Sequence, residues 1–239
     1  MEIDLFIPCF IDQLYPQTAW NTVRVLEKAG CKVHYNPEQT CCGQPAYNSG
    51  YFDEARTLAR KFLYDFPGKR PIVSPGASCS GYVRDGFADL FDKSTGEYNE
   101  YIHRKENVIE LTDFLVNHLG VTNLGASFPH RITYHDACSA LRGYGIHDEP
   151  RQLLRNVDGL ELIEMDETTE CCGFGGTFSV KHKAISTVMT HNKVENALKT
   201  GAEYIVSTEA SCLMNISGYI KKQSLPIKVM HIADVLASF

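Results

Sequence analysis

The sequence predicts an α/β protein of two similar lobes, each a small parallel sheet with crossover helices, related by internal duplication. Three observations predict this. The segment "IVSPGASC" (72–79) recurs as "IVSTEASC" (205–212), matching at six of eight positions. Four cysteines recur in the same order and at nearly the same spacing: Cys9 to Cys41 spans 32 positions and Cys138 to Cys171 spans 33, while Cys42 to Cys79 spans 37 and Cys172 to Cys212 spans 40. Short β-rich runs alternate with helix-period segments along the whole chain, the pattern of strands joined by crossover helices. The period of about 130 residues is too long for a solenoid and marks a duplicated domain. The first copy is read as 1–120 and the second as 130–239, joined by "GVTNLGASFPH" (120–130).

In the first copy "IDLFI" (3–7), "CKVHY" (31–35) and "PIVS" (71–74) read as strands. In the second, "RITYH" (131–135), "LELIEM" (160–165), "EYIVS" (203–207) and "PIKVMH" (226–231) do so. Trp20, Val23 and Leu26 mark one helix between strands; Ala55, Leu58, Ala59 and Phe62, at i, i+3, i+4 and i+7, mark another. "KSTGEYNEYIHRKEN" (93–107) reads as a polar insertion in the first copy. The tails also correspond: "VIELTDFL" (108–115) resembles "VMHIADVL" (229–236), with Asp113 opposite Asp234. In open parallel sheets, sites form at the carboxyl ends of strands. Cys9 and Cys138 follow strands, Cys79 and Cys212 follow strands after short turns, and the vicinal pairs lie in strand-to-helix loops. All eight are expected at the same end of their sheets.

The 239 residues are 44% hydrophobic and 22% charged, ordinary for a globular protein. A net charge of −6 argues against a nucleic-acid binder, which needs a basic face. No run approaches the apolar length of a transmembrane helix. The start "MEIDLFIPCF" lacks the basic region of a signal peptide. A cytoplasmic location follows as the expectation, and in that reducing compartment nine cysteines are ligands or redox groups before they are disulfides.

Cys31 has no counterpart in the second copy and reads as a buried free thiol. For the matched eight, core packing does not account for a spacing repeated in both copies. Disulfides suit neither the compartment nor vicinal cysteines, whose pairing strains the intervening peptide. Zinc accepts four thiolates, but neither copy has the separated C-x-x-C pairs of a zinc ribbon. Iron–sulfur clusters fit best: four thiolates per copy match the usual ligand count, and adjacent cysteines suit a centre of several irons. Each pair runs into glycine, Gly43 and Gly173, where the backbone is free to approach closely and turn N–H groups toward sulfur. A zinc-bound interaction module and a thiol–disulfide oxidoreductase using the vicinal pairs directly remain the alternatives.

The double pattern of cysteine, "CCG", cysteine resembles the cysteine-rich CCG-domain proteins, which include the cysteine-rich component of heterodisulfide reductase and the iron–sulfur subunit of glycolate oxidase. "CCGQPAYNSGY", "CCGFGGTFSVK", "SCLMNISG" and "KVMHIADVL" have the character of the lactate utilisation group within it. The resemblance spans essentially the whole chain. It implies an iron–sulfur electron-transfer subunit, an oxidoreductase component of a complex oxidising L-lactate, a 2-hydroxy acid, to pyruvate. It also implies two partners, a ferredoxin-type iron–sulfur protein and a third subunit. The implied cofactors are two clusters of the [4Fe–4S] type. The heterodisulfide-type pattern closes on C-x-x-C, whereas here Tyr82 and Asn215 occupy the last position. Each copy therefore offers four thiolates and not five, which leaves cubane and noncubane forms both open.

His135, three residues before Cys138, stands where the first copy has Phe6, and is a candidate proton carrier or substrate contact. Arg142 is a candidate for binding a carboxylate. Asp136 reads as a local hydrogen-bonding residue at the turn, Lys181 and His182 as a solvated helix face, and Tyr47 and Phe174 as shields over the site. "GFGGTF" lacks the spacing and the preceding strand of a dinucleotide loop, so neither NAD nor flavin is expected.

Overall fold

A computed structural model describes residues 1–239. Two four-stranded sheets form, all parallel. The first has the order β2 (Lys32–Tyr35), β1 (Glu2–Leu5), β3 (Ile72–Ser74), β4 (Val108–Glu110). The second repeats it as β6 (Glu161–Leu162), β5 (Arg131–Tyr134), β7 (Tyr204–Ser207), β8 (Lys228–His231). Registers repeat as well: Leu5 pairs Val73 as Tyr134 pairs Val206. The duplication read from the sequence is thus a duplication of topology.

The first-lobe helices are α1 (Cys9–Leu14), α2 (Pro16–Lys28), α3 (Gln44–Asn48), α4 (Phe52–Asp65), α5 (Ala77–Asp85), α6 (Gly96–Lys105) and the single turn α7 (Leu111–Asp113). The second lobe has α8 (Asp148–Arg155), α9 (Phe178–Lys181), α10 (Lys183–Lys199), α11 (Ala210–Gln223) and α12 (Ile232–Leu236), preceded by a wide helical turn at Ser139–Tyr144. The polar run at 93–107 is α6, its start capped by the Thr95 hydroxyl. Helix α2 forms as expected but turns otherwise: Trp20 is 68% exposed, and the buried stripe is Thr18, Asn21, Thr22, Val25 and Leu26. The joining segment is no free linker, since Leu124 and Ala126 are buried in it.

The largest apolar core lies between the lobes, where Ile3, Leu5 and Val73 pack into one cluster with Ile132, Tyr134 and Val206. A pseudo-twofold contact locks this interface. Tyr144 of the second lobe donates to Asp113 of the first at 2.7 Å. Thr18 and Asn21 of the first lobe donate to Asp234 of the second, each at 2.9 Å. The matching aspartates of the two tails are therefore reciprocal clasps. Cys42 and Cys79 sit in a separate, smaller core of the first lobe, and Cys172 and Cys212 in another of the second.

Candidate metal centre

All eight matched cysteines line one cavity of about 620 Å³ between the lobes, at the carboxyl ends of both sheets. Strand ends put them there: Cys9 opens α1 directly after β1, and Cys138 begins the turn after β5. Cys79 and Cys212 are each the third residue of α5 and α11, so the N-terminal ends of two full helices face the cavity. The exposure pattern is the same in both lobes. The first cysteine and the first of each vicinal pair are half-buried, while Cys42, Cys79, Cys172 and Cys212 are buried.

The thiols converge without bonding. All nine cysteines are free. Cys9 and Cys41 have Sγ atoms 3.7 Å apart, and Cys42 and Cys79 3.4 Å apart, far beyond a disulfide length. Gly43 and Gly173 take φ of 92° and 85°, the left-handed region glycine favours. That turn aims each glycine N–H at the sulfur two residues back, Cys41 or Cys171, at 3.4 Å. Hydrogen bonds from Cys42 and Cys9, then the Gly43 N–H, pull the Cys41 thiol well below its ordinary value. Cys138 and Cys172 do the same for Cys171. One thiolate per lobe is therefore favoured before any metal arrives, and thiolate is the form that binds metals. Four converging thiols per lobe, backbone donors aimed at sulfur and a roomy shared cavity fit an iron–sulfur group in each lobe.

Behind the cysteines the lobes diverge. Helices α4 and α10 back the two glycines: a Cβ on Gly43 would meet Ala55 and Leu58, and one on Gly173 would meet Ser186 and Met189. These helices therefore correspond, and one turn further on Phe62 corresponds to Lys193. In the first lobe Phe6 packs edge-on against Phe62 at 5.2 Å, in an aromatic cluster with Phe66 and Phe87. In the second the same two places hold His135 and Lys193, both fully buried. Lys193 Nζ donates to the carbonyls of Glu167 and Thr168, pinning the loop that leads to the cysteine pair. Neither ring nitrogen of His135 has a hydrogen-bond partner. One of them lies within 4.8 Å of both Cys172 and Cys212 Sγ. Burial, then the nearby Lys193 ammonium, push this imidazole down to about 3, so it is neutral.

The other candidates separate. Asp136 is no local turn residue: its carboxylate is buried and takes both terminal nitrogens of Arg151, at 2.9 and 2.7 Å. Arg142 is exposed and donates to the Thr169 carbonyl at 3.4 Å, outside the cavity lining. Lys181 and His182 are exposed, as expected. Phe174 does line the cavity and stacks edge-on against Phe10 of the other lobe at 5.7 Å. Tyr47 packs away from the cavity against Tyr82 and Phe52, its hydroxyl on Asp89. Glu209, unnoticed in the sequence, lines the cavity and accepts the Ser78 N–H across the lobe boundary at 3.0 Å.

The model of the CCG cysteine-rich domain matches twice, at residues 3–84 and 132–217, and each match holds one set of four cysteines. The chain belongs to this family. Its relatives include lactate utilization protein A of Exiguobacterium sp., 44% identical over 98% of this chain and 96% of the relative. The same-named proteins of Oceanobacillus iheyensis and Geobacillus sp. are 39% and 40% identical, over 99% and 100% of this chain and 96% and 100% of theirs. The chain therefore belongs to the lactate utilization protein A group of CCG proteins. Among solved structures, a hypothetical protein from Helicobacter pylori superposes with a TM-score of 0.64 at 12% identity, covering 98% of this chain and 48% of that one. That likeness shows the shared fold. No helix is long and apolar enough to cross a membrane.

Proposed function

We propose that this CCG protein is the iron–sulfur electron-transfer subunit of a complex that oxidises L-lactate to pyruvate. The observation that carries the reading is the single cavity lined by both sets of four cysteines. Near-full-length relatedness to lactate utilization proteins A supplies the substrate. Cys9, Cys41, Cys42 and Cys79 would hold one iron–sulfur centre, and Cys138, Cys171, Cys172 and Cys212 the other. When bound, such centres accept and release electrons singly. Two in one cavity suit a two-electron oxidation delivered in single steps.

The chain's own residues set the terms. Gly43 and Gly173 donate N–H groups to Cys41 and Cys171 and so stabilise negative charge on those sulfurs. Phe10 and Phe174 close one wall of the cavity against water. Lys193 and Arg151 fix the backbone and the buried aspartate beside the second set. The half-buried Cys9, Cys41, Cys138 and Cys171 lie nearest the opening, where a ferredoxin-type iron–sulfur partner and a third subunit would exchange electrons.

The test mixes the anaerobically reconstituted chain with its two partner proteins and L-lactate and follows the visible absorption of its centres. Bleaching that needs all three proteins and lactate supports the reading. A fully loaded chain that never bleaches contradicts it.

A further inference from the structure

His135 lies behind the cavity lining, a buried polar side chain whose chemistry is unspent. It is 0% exposed, and neither ring nitrogen is hydrogen-bonded. A buried polar group without a partner costs free energy, and native proteins seldom retain one without a reason. One ring nitrogen lies within 4.8 Å of both Cys172 and Cys212 Sγ, which are themselves within 4.8 Å of each other. Imidazole nitrogen and thiolate sulfur together ligate iron, zinc and copper. The Thr168 carbonyl, held by Lys193, lies near the ring and is placed to orient it. A carbonyl partner of that kind orients ligating histidines generally. The first lobe offers nothing comparable: Phe6 occupies the position, buried among Phe62 and Phe66.

We propose that His135 is a nitrogen ligand of the second-lobe metal centre. The chain would then hold an all-thiolate centre in the first lobe and a mixed thiolate–imidazole centre in the second. The inference rests on the reading that the cysteine sets bind metal. Its consequence is directional. If the neutral imidazole takes the place of one of the four thiolates, the centre is less negative and its potential higher, and the second lobe would be the electron-accepting end of the pair.

The test uses the whole chain, reconstituted anaerobically with iron and sulfide, reduced, and studied by pulsed electron paramagnetic resonance with 14N- and 15N-histidine. The expected result is a nitrogen coupling that changes with the isotope, disappears in His135→Phe, and leaves the first-lobe signal intact. His135→Cys supplies a thiolate at the same position. It should keep the centre, lose the coupling and lower the potential. Two cluster signals with no isotope-sensitive nitrogen, or a coupling that survives His135→Phe, would overturn the assignment. Should the wild-type chain take up no iron and sulfide, the redox reading fails separately. The ligand assignment is then read from the cobalt(II)-loaded chain, whose absorption must change in His135→Phe if the assignment stands. An unchanged cobalt spectrum, or no metal uptake at all, would overturn it.

Discussion

Where the first lobe packs Phe6 with its cysteines, the second packs His135. Where the first has Phe62, the second has Lys193. Ile7, apolar and buried, stands opposite Asp136, which is buried on Arg151. Tyr82, its hydroxyl unpaired among aromatic rings, stands opposite Asn215, which donates to the Cys172 carbonyl at 3.0 Å and to Thr190 at 2.9 Å. The backbone, sheet order and cysteine positions are duplicated, yet one site rests on an aromatic bed and the other on a polar one. Duplication preserved what positions the thiols. The residues behind them, which set local charge and polarity, were free to diverge. Two centres in such unlike surroundings would differ in potential, as a relay requires.

The widest separation between the lobes concerns the buried ion pair. Arg151→Met leaves the Asp136 carboxylate buried with no partner and should cost about 3–5 kcal/mol. Asp136→Ile combined with Arg151→Met, which copies the first lobe's Ile7, should recover most of that loss. Denaturant melts of the three chains check this. Next comes Lys193. Lys193→Met takes a charged donor from the Glu167 and Thr168 carbonyls, costing about 1.5–3 kcal/mol. In the loaded chain it should lower the potential of the second centre, whereas Phe62→Leu in the first lobe should leave both potentials in place. Potentiometric titration separates the two outcomes.

A smaller difference sits at the glycines. Both need positive φ, where a side chain costs about 1–2 kcal/mol. A Cβ on Gly173 would also come within 2.6 Å of the Ser186 carbonyl, while on Gly43 the nearest atom is Leu58 Cβ at 3.2 Å. Gly173→Ala should therefore destabilise the chain more than Gly43→Ala. Equal losses would mean that α10 yields as easily as α4.

The smallest effect is one of pH. Glu110 ends β4 and His231 ends β8, and each caps the helical turn that follows. Burial raises Glu110 from 4.5 to about 8. Its contribution to stability is whole below 4.5 and is lost as pH rises toward 8. Burial lowers His231 from 6.5, so its contribution is whole above 6.5 and lost as pH falls below that. Glu110→Gln should flatten the alkaline decline and leave the acid one, and His231→Gln the reverse. Stability measured across pH 4 to 9 reads both.

Much of this was legible in the sequence because it depends on local pattern. The apolar runs, the repeated cysteine spacing and the glycines after each pair identified both sheets and the carboxyl-end position of all eight thiols. Strand β4 was visible only as part of the tail resemblance, since "VIE" is three buried residues without alternation. Strand β6 shrank to two residues. Trp20 was misplaced because α2 buries threonine and asparagine toward the other lobe, where they clasp Asp234. Lys193 was missed altogether. In "HNKVEN" it looks solvated, and only the packing of α10 under the loop carrying Thr168 buries it. His135 stood out as unlike Phe6, but its approach to Cys172 and Cys212 depends on contacts between segments far apart in the chain. The merging of both cysteine sets into one cavity depends on how the lobes dock, and no local spacing carries that.

The most direct test of the account counts iron, acid-labile sulfide and zinc per chain in protein purified without oxygen, alongside Cys42→Ala and Cys172→Ala. Two four-iron centres predict about eight iron and eight sulfide in the parent. Each variant should lose about half, with the spectrum of the other lobe's centre retained. Stoichiometric zinc without sulfide, persisting after anaerobic reconstitution, would contradict it and leave the two cysteine sets as structural sites of an interaction module.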